Sequence, residues 1–156
     1  MIRAALLGYG YWGPNIARNI EWNKSYKLTT ICDLDKNHLS HAKKLYPDIS
    51  ITTNADDVFS DKTIDAIFIA TPISTHFTLS KKALLSGKHV FVEKPLAATV
   101  VEAKELVDLQ KKQKRTLMVD HTFIYTPAVT TIKTYIDRGE LGHILYFDSM
   151  RTNLGL

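Results

Sequence analysis

Apolar residues recur along the chain in six short runs: 2–7 (IRAALL), 27–32 (KLTTIC), 49–52, 64–70 (IDAIFIA), 89–92 (HVFV) and 116–119 (TLMV). Each is strand-sized and apolar on both faces, which is the signature of a parallel strand covered on both sides. The segments between them carry helical spacing instead. Pro14 to Trp22 is the first; Lys36 to Tyr46 sets Leu39, Ala42, Leu45 and Tyr46 on one face behind an Asp35 N-cap, and Pro47 stops it. Asn54 caps a short turn before DDVFSD, Ser74 or Thr75 caps HFTLSKKALLS, and Gly87 ends that helix. Thr99 precedes VVEAKELVDLQKKQ, with Val100, Ala103, Leu106 and Val107 in helical register.

Six strands alternating with helices predict an α/β fold, a Rossmann-type doubly wound parallel sheet, over residues 1–121. Beyond it the pattern changes. Thr126 and Pro127 read as the N-cap and first residue of a helix closing near Gly139, and HILYFDSMRTN reads as a longer strand near 143–150. Residues 122–156 are too few for an independent domain, so the expectation is the first helix and strand of a truncated second α+β domain.

Composition narrows the class. At 45% hydrophobic and 23% charged residues, the chain is that of an ordinary globular protein. No apolar run approaches the roughly 20 residues that cross a bilayer. The first residues lead straight into a strand without the pattern of a signal peptide, so the cytoplasm is the expected compartment. Cys32 is the single cysteine, which excludes an internal disulfide and a cysteine-based metal cluster. The net charge of +4 comes from lysines paired on helix surfaces (Lys43 and Lys44, Lys81 and Lys82) and from KKQKR at a helix end, where cations complement the helix dipole. Without aromatic residues interleaved among them, these charges do not describe a nucleic-acid surface.

Two constellations carry candidate chemistry. Gly8, Gly10 and Gly13 form G-x-G-x-x-G between a strand and a helix. Alone this is a tight turn. A dinucleotide site needs a sharp turn at Gly8, a bare backbone at Gly10 facing a pyrophosphate, and close helix packing at Gly13. Pro14 sacrifices no useful amide there, and the free amides with the helix dipole would face the anion. The motif also requires an acid about 20 residues on, at the end of strand two. Asp33 stands twenty residues after Gly13. An acid at this point accepts hydrogen bonds from an adenosine ribose and repels a 2′-phosphate, which favours NAD over NADP; a capping or turn role is the alternative reading of Asp33.

The second constellation is GKHVFVEKPLA at 87–97. Glu93, Lys94 and Pro95 fall at the carboxyl end of strand five, the sheet edge where ligands of this architecture bind. A surface salt bridge is the plain reading. In a crevice, a neighbouring cationic nicotinamide or burial would favour the neutral amine of Lys94 and let it exchange a proton with a substrate hydroxyl. The Lys94-Pro95 bond is open to either isomer. His38 and His41 lie three apart on a helix without a third metal ligand near in sequence, so they read as surface residues. For His121, after strand six, a place in the crevice and a structural role both fit.

GYGYWGPNIARN, ATPISTHFTLSKKALLSGKHVFVEKPLA and LMVDHTFIYTPAV together resemble the N-terminal half of the Gfo/Idh/MocA oxidoreductases, the family of glucose-fructose oxidoreductase and inositol dehydrogenase. Within it, the Trp12-Gly13 pair and the closing RTNLGL look most like the sugar-nucleotide dehydrogenases of bacterial polysaccharide synthesis, which oxidise a UDP-linked N-acetylhexosamine or its uronic acid at C3. The resemblance implies that Gly10, Tyr11 and Trp12 offer backbone to the pyrophosphate of NAD and that Asp33 takes the adenosine ribose. Thr71, Pro72 and His76 would line the cofactor toward its nicotinamide end. Glu93 would border the nicotinamide ribose, and Lys94 would be catalytic. His76 has a structural role near a helix start as its alternative. Arg151 and Asn153 are candidates for substrate contact.

Family members are more than twice as long, and their second domain supplies an Asp-x-x-x-His element that is missing after residue 94 here. The expectation is a chain that binds NAD but turns over substrate poorly alone. A free polyol or sugar is the alternative substrate, and a non-catalytic NAD-binding module the alternative from another class. Unpaired edges near 143–150 further suggest association between chains as a homo-oligomer.

Overall fold

The computed structural model describes residues 1–150 and 152; Arg151 and Asn153 lie outside the described residues. Its strands are β1 (Ile2–Leu7), β2 (Tyr26–Cys32), β3 (Ser50–Thr52), β4 (Ala66–Ile69), β5 (His89–Glu93) and β6 (Leu117–Asp120). They form one sheet in the order β3-β2-β1-β4-β5-β6, the Rossmann order, and every pairing is parallel. All six therefore end on the same edge.

The pleat of β1 shows why the sheet needs helices on both faces. Ala4 and Leu6 pack with Ile16, Ala17 and Ile20 of α1 (Gly13–Trp22) and with Leu39 and Ala42 of α2 (Lys36–Leu45). Ala5 and Leu7 point the other way, into Val58 and Phe59 of α3 (Ala55–Ser60), Ala83 and Leu84 of α4 (Ile73–Leu85) and Leu106 of α5 (Val100–Gln113). Alternate residues of one strand thus feed two cores, and each fully buried leucine contributes about 1.5–3 kcal/mol. Lys88 is buried with them, its ammonium donating to the Asp61 and Ile64 carbonyls at 2.6 and 2.7 Å.

Helix starts follow local chemistry. Asp35 accepts from the Asn37 amide at 2.7 Å and Asn54 from the Asp56 amide at 3.0 Å. Thr99 and Glu102 complete a reciprocal capping box. The start of α4 differs from the sequence expectation: it begins at Ile73 behind Pro72, and Ser74 and Thr75 fall inside its first turn. Proline has no side-chain acceptor, so α4 starts without a side-chain cap, and the Thr75 hydroxyl donates to the Pro72 carbonyl at 2.7 Å.

The chain divides into two compact units, Met1–Asp120 and His121–Leu156. In the second, a 3-10 turn (Thr122–Tyr125) leads into α6 (Pro127–Asp137), which closes before Gly139 at φ +71°. Thr126 occupies the N-cap position, but its hydroxyl donates back to the Phe123 carbonyl at 2.8 Å. The strand expected at 143–150 is not formed. Backbone groups of an extended segment need a neighbouring strand to pair with. Among the described residues no helix is long and apolar enough to cross a membrane.

Candidate functional site

The sheet edge collects the candidate residues: Gly8 follows β1, Asp33 follows β2, Thr71 and Pro72 follow β4, Glu93 ends β5 with Lys94 after it, and Asp120 ends β6. β1 lies between β2 and β4, so the turn after it opens where the chain switches from one side of the sheet to the other. This is where ligands of such sheets bind.

The three glycines have different reasons to be glycine. Gly8 has φ +91°, and a Cβ there would meet the Ala70 carbonyl oxygen at 2.6 Å. Its amide is held by the Cys32 carbonyl at 2.8 Å, so the turn is locked between β2 and β4. A Cβ on Gly13 would lie 2.4 Å from the Gly8 carbonyl oxygen, which brings the start of α1 hard against the strand end. Gly10 is the exception. The nearest atom to its Cβ would be His38 Cε1 at an ordinary 3.8 Å, so protein packing does not require glycine there. Among the described residues, the amides of Tyr11, Trp12 and Gly13 have no acceptor. Open space over Gly10 beside unused amides at a helix start is a cradle that fits the pyrophosphate of a dinucleotide. The rings of Tyr11 and Trp12, which follow Gly10 in the chain, stack 6.2 Å between centroids, with Tyr11 almost wholly exposed.

Asp33 lies beside the glycine turn. Its Oδ2 accepts the Tyr9 amide at 2.5 Å and its Oδ1 the Asp35 amide at 2.8 Å. Both bonds orient the carboxylate and leave lone pairs for ribose hydroxyls. His38, read from sequence as a surface residue, remains 43% exposed, but its Nδ1 is enclosed 3.3 Å from Asp33 Oδ1 without hydrogen-bond alignment.

On the other side of β1 stand Thr71, whose hydroxyl is 2.7 Å from that of Thr75, and Pro72. His76 is placed differently from a free cofactor ligand. It is 1% exposed, with Nδ1 2.8 Å from the Pro95 carbonyl and Nε2 2.8 Å from the Thr71 carbonyl. Lys94 is exposed, its amide donates to Glu93 Oε2 at 3.1 Å, and the bond to Pro95 is cis. His121 opens the second unit as an exposed residue.

Asp120 escaped the sequence reading. It lies directly opposite Glu93 in the β5-β6 register. Burial first, and then a hydrogen bond with Asp120 and the repulsion of its charge, push the Glu93 carboxyl up to about 7. The signal was an acid at the end of each of two successive strands, which meet only because those strands pair.

A family model described as "Oxidoreductase family, NAD-binding Rossmann fold", that of the Gfo/Idh/MocA proteins, matches residues 2–121. The uncharacterized oxidoreductase YdgJ of Escherichia coli is 36% identical over 95% of this chain and 42% of its own length. The D-xylose dehydrogenase of Paenarthrobacter nicotinovorans is 40% identical over 60% of this chain and 24% of its own. Among solved structures, myo-inositol 2-dehydrogenase from Lactobacillus plantarum superposes with a TM-score of 0.85 at 31% identity, over 93% of this chain and 43% of that one. The chain spans about two fifths of the length of YdgJ and of the inositol dehydrogenase.

Proposed function

Because the chain belongs to the Gfo/Idh/MocA oxidoreductases, we propose that it is the cofactor-binding part of an NAD-dependent dehydrogenase that oxidises a secondary hydroxyl of a carbohydrate. One observation carries this reading: a cradle at Gly10 and the oriented carboxylate of Asp33 share a single sheet edge with Lys94. When bound, NAD supplies the acceptor for a hydride from the substrate carbon. Tyr11 and Trp12 amides hold the pyrophosphate, and Asp33 holds the adenosine ribose and repels a 2′-phosphate. Thr71 and Pro72 wall the nicotinamide side. Lys94 Nζ takes the proton of the substrate hydroxyl while the carbon gives up its hydride.

A UDP-linked N-acetyl sugar oxidised at C3 is the substrate class supported by the resemblance of the Trp12-Gly13 loop. The names of the xylose and inositol dehydrogenases support a second reading, a free sugar or polyol. Calorimetric titration of the 156-residue chain with NAD and NADP, alone and with UDP-sugars, xylose or inositol, tests both. NAD binding tighter than NADP is expected, with turnover well below about 1 per second. Equal or tighter binding of NADP would overturn the role of Asp33, and a response to free polyol alone would reject the sugar nucleotide.

A further inference from the structure

His38, in the first turn of α2, lies beside both parts of the candidate cofactor site. A Cβ on Gly10 would be 3.8 Å from its Cε1, and its Nδ1 is 3.3 Å from Asp33 Oδ1. One edge of the imidazole, from Nδ1 to Cε1, therefore borders the bare backbone at Gly10 and the carboxylate of Asp33 together. The Asp35 cap starts α2 at Lys36, which sets His38, the third helical residue, beside the acid that follows β2. Its Nδ1 is buried with no hydrogen-bond partner among the described residues, and an unmade bond at such an atom costs about 1–3 kcal/mol. The side chain as a whole is 43% exposed, so an incoming ligand can touch the ring.

An adenosine ribose offers two adjacent hydroxyls, each able to donate and to accept. With one donating to Asp33, its neighbour meets the imidazole and can bond the ring whichever nitrogen carries the hydrogen. A 2′-phosphate replaces one of these hydroxyls, so the paired contact is lost and a charge is set against Asp33. We propose that His38 is a further cofactor-binding residue, which contacts the adenosine ribose together with Asp33 and strengthens the preference for NAD over NADP. The proposal rests on the cofactor reading above, in which Asp33 takes the adenosine ribose.

The test needs no turnover. Carbon-13 spectra of the intact chain follow the His38 Cε1 resonance, assigned by its loss in His38→Ala and in His38→Gln. It should move when NAD or AMP is added and stay when nicotinamide mononucleotide, which lacks the adenosine half, is added. The Cε1 resonance of His89, at the start of β5, should stay throughout. By calorimetric titration, His38→Ala should bind NAD about fivefold more weakly while its NADP affinity changes by less than about twofold. A histidine that merely supports α2 would leave both affinities alone or lower both alike, and either result overturns the proposal. So does a His38 resonance that ignores NAD in a chain that binds it, which refutes His38 and leaves the cofactor reading standing. Failure of the unaltered chain to bind NAD would instead refute the cofactor reading, and His38 would fall with it.

Discussion

The carboxylate of Asp33 takes the Tyr9 amide at 2.5 Å, so the acid after β2 is oriented by the glycine turn after β1. Asp33→Asn removes the charge and sets an amide group among donors. NAD should bind about tenfold more weakly and the NADP-to-NAD affinity ratio should rise, because the repulsion of a 2′-phosphate is gone. Competitive titration of the two cofactors measures both, and an unchanged ratio would remove Asp33 from the ribose site.

The glycines separate fold from function. Gly8→Ala forces a side chain into a left-handed backbone 2.6 Å from a carbonyl oxygen, and Gly13→Ala meets another at 2.4 Å. Each should cost about 2–4 kcal/mol in denaturant unfolding. Gly10→Ala meets only a ring edge at 3.8 Å. It should unfold like the parent chain yet bind NAD at least about tenfold more weakly; parent-like NAD affinity would show that nothing needs the space over Gly10.

Glu93 and Asp120 predict a pH dependence. The folded chain keeps a proton on Glu93 up to about 7, where the unfolded chain has already lost it near the ordinary carboxyl value. Stability from this residue is therefore full below the ordinary value and is lost as pH rises through about 7. Asp120→Asn removes the opposing charge, should lower the Glu93 midpoint and should flatten that part of the stability curve. Carbon-13 titration of the Glu93 carboxyl, with thermal unfolding across the same pH range, would show it.

Tyr9 is 2% exposed and its hydroxyl has no partner among the described residues. Tyr9→Phe deletes a buried unsatisfied group and keeps the ring, so the chain should be unchanged or more stable by up to about 1 kcal/mol. A clear loss of stability in chemical denaturation would reveal a partner for that oxygen.

Much of this was legible because it is local. The runs at 2–7 and 64–70 are apolar on both faces and could only be interior strands; the Gly8-to-Asp33 spacing follows from one strand-helix-strand unit. What was not legible depends on distant pairings. Asp120 matters because β6 sets it against Glu93, 27 residues earlier. His76 is enclosed by carbonyls 5 and 19 residues away. Residues 143–150 have strand composition, but composition cannot provide a neighbouring strand.

The wall that makes Gly8 obligatory is the carbonyl of Ala70, and Ala70 is delivered by β4, whose pairing with β1 spans some 60 residues. On a ribosome that releases the chain from its first residue, the glycine motif emerges early, but it remains an unwalled turn until β4 follows and docks. The glycine turn is thus completed only when β4 docks on β1, and a nascent chain that stops before β4 presents the motif without its wall.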